Sequence, residues 1–172
     1  MEGTMDYLTM ALRANEVAVR ELRGYADMTL TYRLIHQLNP ELDENTFYSR
    51  LDHMLKEGGY RCIAAYRDGV MVGVAGFWVG TALWCGSYIE PDNIVVDEDV
   101  RGAGIGAMMM KWIEKEGERL DCDIMKLECY AERQRTRSFY RGIGYGELGV
   151  VMMKSLDDKA RSAIVAKNGE LR

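Results

Sequence analysis

Ile94-Val95-Val96-Asp97-Glu98-Asp99-Val100-Arg101-Gly102-Ala103-Gly104-Ile105-Gly106 decides how this chain is read. An apolar strand runs into an acidic turn, then into a glycine-rich loop, then into an amphipathic helix that starts near Ile105. The first N–H groups of a helix have no intrahelical acceptor and sit at the positive end of its dipole, so they bind anions. Glycines at 102, 104 and 106 let the backbone close on a phosphate without side chains in the way. Arg101 adds a fixed positive charge at the loop mouth. The expected ligand carries a pyrophosphate.

The bulk of the chain narrows the choice of partner. Its 172 residues suit one domain with a proper core. A net charge of −5 and the lack of any Lys/Arg run argue against a nucleic-acid binder. No apolar run approaches the ~20 residues that span a bilayer, and no signal peptide is visible. The four cysteines, Cys62, Cys85, Cys122 and Cys129, fit no zinc spacing, and His36 and His53 have no partner at ligand spacing. No metal is expected. The thiols read as reduced, in a cytoplasmic protein.

Working outward from the loop, the periodicity predicts the other elements. Leu8, Met10 and Leu12 alternate as a short strand, and Val17 to Leu38 reads as helix, or as two shorter helices split at Gly24, ended by Asn39-Pro40. Asp43 is placed as the N-cap of a second helix, with Phe47, Leu51, Met54 and Leu55 on one face and Gly58-Gly59 as its stop. Arg61 to Arg67 and Val70 to Val79 form a hairpin around Asp68-Gly69. Leu83 to Gly86 is a strand or turn, and Tyr88 to Val96 is the strand before the loop. Pro91 marks an edge or bulge in it. Ile105 to Leu120 is a helix, Asp123 to Cys129 a strand, Arg133 to Arg141 a short helix and Gly146 to Met153 a last strand. Leu156 to Lys167 is read as a terminal helix. This is an α/β (α+β) order around a single sheet.

The loop also fits G-x-G-x-x-A, the dinucleotide fingerprint, with Glu128 at the right distance for a ribose contact. Three features oppose that reading. The loop lies past mid-chain, an antiparallel hairpin precedes it, and several acidic residues separate the strand from the first glycine.

Arg101-x-x-Gly104-x-Gly106 after an apolar strand resembles instead the acyl-CoA pyrophosphate loop of the GNAT superfamily of N-acyltransferases. Phe139-Tyr140-Arg141-Gly142-Ile143-Gly144-Tyr145 is similar to that superfamily's F-Y-x-x-x-G-F segment. Asp68-Gly69-Val70-Met71-Val72-Gly73 resembles its hairpin, and two helices precede it in the usual order. The resemblance covers about residues 5–155 and leaves 156–172 as an extension of one domain, 1–172. It implies a mixed, mostly antiparallel central sheet flanked by helices, with a splayed strand pair at a cofactor cleft. It implies acetyl-CoA as co-substrate, held by Val95, Val96, Arg101, Gly102, Ala103, Gly104, Ile105, Gly106 and Ala107. The chain departs from the pattern at Arg133 and Thr136, where many members have Asn and Ala. Arg133 is placed against a phosphate.

Moving an acyl group from a thioester to an amine requires a polarised carbonyl, a deprotonated amine and a stabilised thiolate. The resemblance implies that a backbone N–H of Val95 or Val96 serves the first need. An amine with a pKa of about 10 needs a proton acceptor near neutrality. Glu90 and Asp92 point to one face of a strand unless Pro91 forces a bulge. Asp92 matches the position of a catalytic carboxylate in some relatives and ranks first, Glu90 second, Glu128 third; the competing reading leaves them as solvated acids. Tyr140 is the acid for the thiolate, as the matching tyrosine is in many relatives. Cys85 and Cys129 read as ordinary thiols. The partner expected is a small-molecule or peptide amine, with the acidic residues leaning toward a cationic one, and a homodimer fits family habit. The rival from another class is a module that binds acyl-CoA without turnover.

Overall fold

The computed structural model describes residues 16–156. Two compact units divide the chain, Met1–Leu127 and Glu128–Arg172. The first carries a five-stranded sheet in the order β1-β2-β3-β4-β5. Its first three pairings are antiparallel and the last is parallel. The sheet is therefore mixed and mostly antiparallel, as the resemblance implies.

The predicted helix over Val17 to Leu38 is a strand and two short helices: β1 (Val17–Glu21), α1 (Gly24–Thr29) and α2 (Tyr32–Leu38). Val17, Val19 and Glu21 are half-buried while Ala18 and Arg20 are exposed, which is the two-residue period of a strand. β1 pairs with β2 from Val17 opposite Arg67 to Glu21 opposite Ile63. Gly24 then takes φ 73, which turns the chain into α1. Thr31 joins the two helices, its buried hydroxyl donating to the Met28 carbonyl at 2.7 Å.

Helix α3 (Glu44–Glu57) starts at the predicted cap: the Asp43 carboxylate accepts the Thr46 N–H at 3.0 Å. Strands β2 (Tyr60–Arg67) and β3 (Val70–Ala82) meet at Asp68-Gly69, where φ values of 50 and 78 give the turn that matches strand twist. Leu83 to Cys85 forms the turn into β4 (Gly86–Val96). A three-residue turn of 3-10 helix (Glu98–Val100) and the glycine loop lead to α4 (Ile105–Arg119), and β5 (Ile124–Met125) closes the sheet. The predicted strand from Asp123 to Cys129 is thus reduced to two residues.

Each face of the sheet has its own core. Leu34, Ile35, Phe47 and Leu51 of the helices pack on Cys62, Ala64, Val74 and Val95. On the opposite face Ile105, Met109 and Ile113 of α4 pack on Ile63, Ala75, Phe77 and Ile89. Gly73 is what lets α4 settle there: a Cβ at this position would stand 3.1 Å from the Met109 side chain.

In the second unit the predicted short helix is present as α5 (Gln134–Gly142). The predicted last strand over Gly146 to Met153 does not form; the segment is irregular and Leu148, Val150 and Met152 are exposed. An apolar alternation becomes a strand only when a neighbour accepts its hydrogen bonds. The predicted strand at Leu8 to Leu12, and the terminal helix beyond Leu156, lie outside the described residues.

Candidate active site

The glycine loop is built on an anchor that sequence reasoning did not single out. Asp97 ends β4, its N–H donating to the Val72 carbonyl at 2.9 Å. Its carboxylate accepts from Arg33 of α2 at 2.5 Å and from Gln37 at 3.5 Å, and it caps the 3-10 turn through the Asp99 N–H. Only 8% of Asp97 is exposed. The Arg33 guanidinium holds its carboxyl below the usual carboxylate range. The first acid of the turn is therefore a structural fastener, and only Glu98 and Asp99 beyond it are exposed.

Past this anchor the chain is open. Arg101, Gly102, Ala103 and Gly104 are exposed, and the Arg101 Nε donates to the Val96 carbonyl at 3.1 Å. Gly104 is the N-cap of α4 at φ 78, with no side-chain cap. A Cβ there would meet nothing within 4 Å. The glycine is demanded by backbone angle and by the space it leaves, not by a neighbouring side chain. The N–H groups of Ile105, Gly106 and Ala107, in the first turn of a 15-residue helix, lack intrahelical acceptors and face this space. Free donors at a helix start, an open cradle and a nearby arginine suit the diphosphate of acetyl-CoA.

β4 carries the rest. Asp92 stands opposite Gly76 and Glu90 opposite Trp78, so both acids face the α1–α3 side. The bulge expected at Pro91 falls two residues later, at Asn93, where φ is 51 and the register with β3 shifts. The two acids differ in company. Glu90 is ion-paired with Lys126, whose ammonium also lies 4.2 Å from the Tyr88 ring centroid. Among the described residues Asp92 has no cationic partner, and burial pushes its carboxyl up despite a hydrogen bond from the Trp78 side chain. A half-buried carboxylate without a counter-ion is the better proton acceptor of the two.

The neighbouring strand leaves β4 early. β5 pairs only with Tyr88 and Ile89, and the Lys126 N–H to the Ile89 carbonyl at 3.1 Å is the last backbone bond between them. Beyond Ile89 that edge of β4 has no partner strand among the described residues. Asp97 and Val95 turn their backbone groups toward β3, so alternation turns those of Val96 toward the open edge. Of the two valines singled out from sequence, Val96 offers its N–H there. Val95 is 4% exposed and packs its side chain into the α1–α3 core.

A cavity of about 130 Å³ lies on the α1–α3 face. Tyr60, Cys62 and Asn93 form its sheet side, Thr31 and Phe47 its helix side, and Arg50 stands at its rim. The Tyr60 ring covers Gly76, the residue opposite Asp92. Burial pushes the Cys62 thiol up to about 12, which leaves it without nucleophilic thiolate near neutrality. Tyr60, Arg50 and Asn93 escaped sequence reasoning. Asn after Pro-Asp was the available signal, since asparagine is enriched at positive φ.

In the second unit, Arg133 is the N-cap residue of α5 and its guanidinium lies 5.2 Å from the Tyr130 ring centroid. Tyr140 is half-buried between Phe139 and Tyr145, at centroid distances of 5.3 and 5.6 Å. Burial pushes its hydroxyl up to about 12, so it keeps its proton at neutral pH. Gly144 at φ 99 lets the Tyr145 N–H turn back to the Tyr140 carbonyl at 3.0 Å. Arg137 and Arg141 both hold Glu147. Cys129 has its thiol raised by burial, and Glu128 is exposed outside any strand. Among the described residues no group of His, Cys, Asp or Glu could hold a metal ion, and no helix is long and apolar enough to cross a membrane.

Comparison with known proteins places this geometry. Residues 26–145 match the profile of the acetyltransferase (GNAT) family. The chain is 28% identical over 156 residues to an aminoalkylphosphonate N-acetyltransferase of Salmonella typhimurium, covering 87% of this chain and 99% of that one. An aminoglycoside N-acetyltransferase solved in complex with CoA superimposes with a TM-score of 0.71 at 17% identity, over 81% of this chain and 94% of its own. Glucosamine-6-phosphate N-acetyltransferase from Arabidopsis thaliana gives 0.65 at 18% identity, over 83% and 100%.

Proposed function

The chain belongs to the acetyltransferase (GNAT) family, and from that premise we propose that it transfers the acetyl group of acetyl-CoA to the amine of a small molecule by direct attack in a ternary complex. The observation that carries this reading is the edge of β4 that has no partner strand among the described residues, where the Val96 N–H points away from β3 and the chain runs into the cradle at Gly104. The relative named for aminoalkylphosphonates, matched along nearly its whole length, supports a small-molecule acceptor.

The first-turn N–H groups of α4 and Arg101 hold the diphosphate, with Arg133 as a further phosphate contact. The Val96 N–H donates to the thioester carbonyl oxygen and stabilises the negative charge that develops on it. Asp92, directly or through water, accepts a proton from the amine nitrogen as that nitrogen bonds to the carbonyl carbon. The carbon–sulfur bond breaks, and Tyr140 donates its phenolic proton to the leaving thiolate. Glu90, neutralised by Lys126, shapes the field around Asp92 rather than taking the proton.

The test is thiol release from acetyl-CoA over a panel of amines, with acetyl-CoA and NAD binding measured alongside by calorimetry. Release driven by one amine class is expected. Its rate should fall as pH drops through a range above that of an ordinary carboxylate, because Asp92 accepts a proton only when ionised and its pKa is raised. Asp92→Asn should abolish that limb. Acetyl-CoA binding without release by any amine would instead favour a binding module, and NAD binding in its place would overturn the cofactor.

A further inference from the structure

We propose that the cavity beneath α1–α3 is the pocket for the acyl acceptor, and that Arg50 at its rim selects a compact amine bearing an anionic head group. The inference rests on the acetyl-transfer reading and specifies its substrate.

Size comes first. A dry cavity of about 150 Å³ accommodates a benzene molecule. The space here, about 130 Å³, therefore suits an amine of roughly that bulk. An amino sugar of several rings does not fit inside it.

Sign comes second. Among the described residues Arg50 is the one charged side chain lining the cavity, and no acid lines it. The other charged groups described along α3 are engaged: Glu44 with the Tyr48 hydroxyl, Lys56 with Asp52 at 2.6 Å, His53 with Glu57 at 3.4 Å. Arg50 has Thr46, Phe47, His53 and Met54 at helical-neighbour spacing, none of them acidic, and makes no ion pair among the described residues. A guanidinium left free at the rim of a pocket matches an oxyanion, which it binds through two parallel N–H donors. Thr31 on the helix side and Asn93 on the sheet side supply neutral polar groups to the lining.

Direction comes third. Asn93 follows Asp92 directly, and the cavity wall at Tyr60 covers the residue paired with Asp92. An amine whose anion is held at Arg50 can extend its nitrogen toward the carboxylate that takes its proton. The acidic residues of β4 alone lean toward a cationic acceptor; the lining of the cavity points the other way.

The experiment uses the full chain with CoA bound and four acceptors of matched length: aminoethylphosphonate, β-alanine, propylamine and a diaminoalkane. Binding is measured by calorimetry and turnover by thiol release. The two anionic amines should bind at least tenfold more tightly than propylamine, and the diamine should bind worst. The phosphonate and carboxylate arms identify which oxyanion is preferred. Arg50→Ala should weaken the anionic amines about thirtyfold, the loss expected of a charge-assisted hydrogen bond, and Arg50→Lys should restore part of it. Retained acetyl-CoA binding certifies that each variant is folded. Equal affinity for propylamine, tighter binding of the diamine, or an anion preference unmoved by Arg50→Ala would overturn the inference. Anion-selective binding without turnover would count against acetyl transfer and leave the pocket assignment standing.

Discussion

The two ends of α4 are made of the same helix and do opposite work. Its start is capped by an exposed glycine and leaves the first backbone donors without intrahelical acceptors. Toward its end, Glu116 is buried at 8% exposure and accepts from Arg61 at 2.5 Å and from Arg119 at 2.7 and 2.8 Å. Arg61 in turn reaches Glu21 at 2.7 Å and stacks 5.0 Å from the Phe77 ring centroid. One end leaves its first donors open, as the proposed diphosphate site requires. The other is fully paired and ties β1, β2 and α4 together. Polar groups at a binding site are left open, whereas polar groups in a core must be closed.

The largest effect should come from forcing the open end shut. Gly104→Val places a β-branched side chain at φ 78 and fills the cradle. Acetyl-CoA affinity should fall by about a thousandfold, or roughly 4 kcal/mol, read by calorimetry on a variant that still melts cooperatively. Unchanged affinity in such a variant would mean that the diphosphate binds elsewhere.

Opening the closed end should cost stability and leave the cofactor alone. Glu116→Gln should lower the free energy of unfolding by about 3 kcal/mol at pH 7, the usual result of stripping one partner from a buried ion pair. The pairing holds the Glu116 carboxyl at about 2, down from 4.5. A depressed pKa stabilises fully above the unfolded value and loses its effect as pH falls through the folded one. The gap between wild type and variant in urea unfolding should therefore close between about pH 4.5 and 2. A gap that persists at the acid end would assign the loss to packing.

Tyr140→Phe sharpens the contrast between holding and reacting. Thiol release should slow about tenfold, near 1.4 kcal/mol, with little change in the KM for acetyl-CoA. A KM that rises with no loss of kcat would move Tyr140 from proton donor to anchor.

Local signals made much of this legible. Asp68-Gly69, the Asp43 cap and the start of α4 at Ile105 are written in neighbouring residues, and each stands where the sequence places it. β1 was not legible, because five residues of Val-Ala-Val-Arg-Glu suit either element until β2 pairs with them from across the chain. The expected strand at Gly146 to Met153 fails for the complementary reason: its pattern is right and its partner is missing. In the candidate site, the shared face of the two acids of β4 was legible. What separates them was not, since Lys126 reaches Glu90 across 36 positions. Arg33 and Asp97 are 64 apart, and no spacing rule spans that distance.

The bulge at Asn93 has a consequence best put as counting. A strand counts in twos, so Asp92 and Val95, three apart, belong on opposite faces of a regular ribbon. One supernumerary residue resets the count, and both now face the same layer: Val95 opposite Val74 in the core, Asp92 opposite Gly76 beside the cavity. An uninterrupted strand could bury the valine or present the acid there, but not both. Removing one residue here would exchange inside and outside for everything up to the glycine loop, so a single unit of arithmetic keeps the acid and the core on speaking terms.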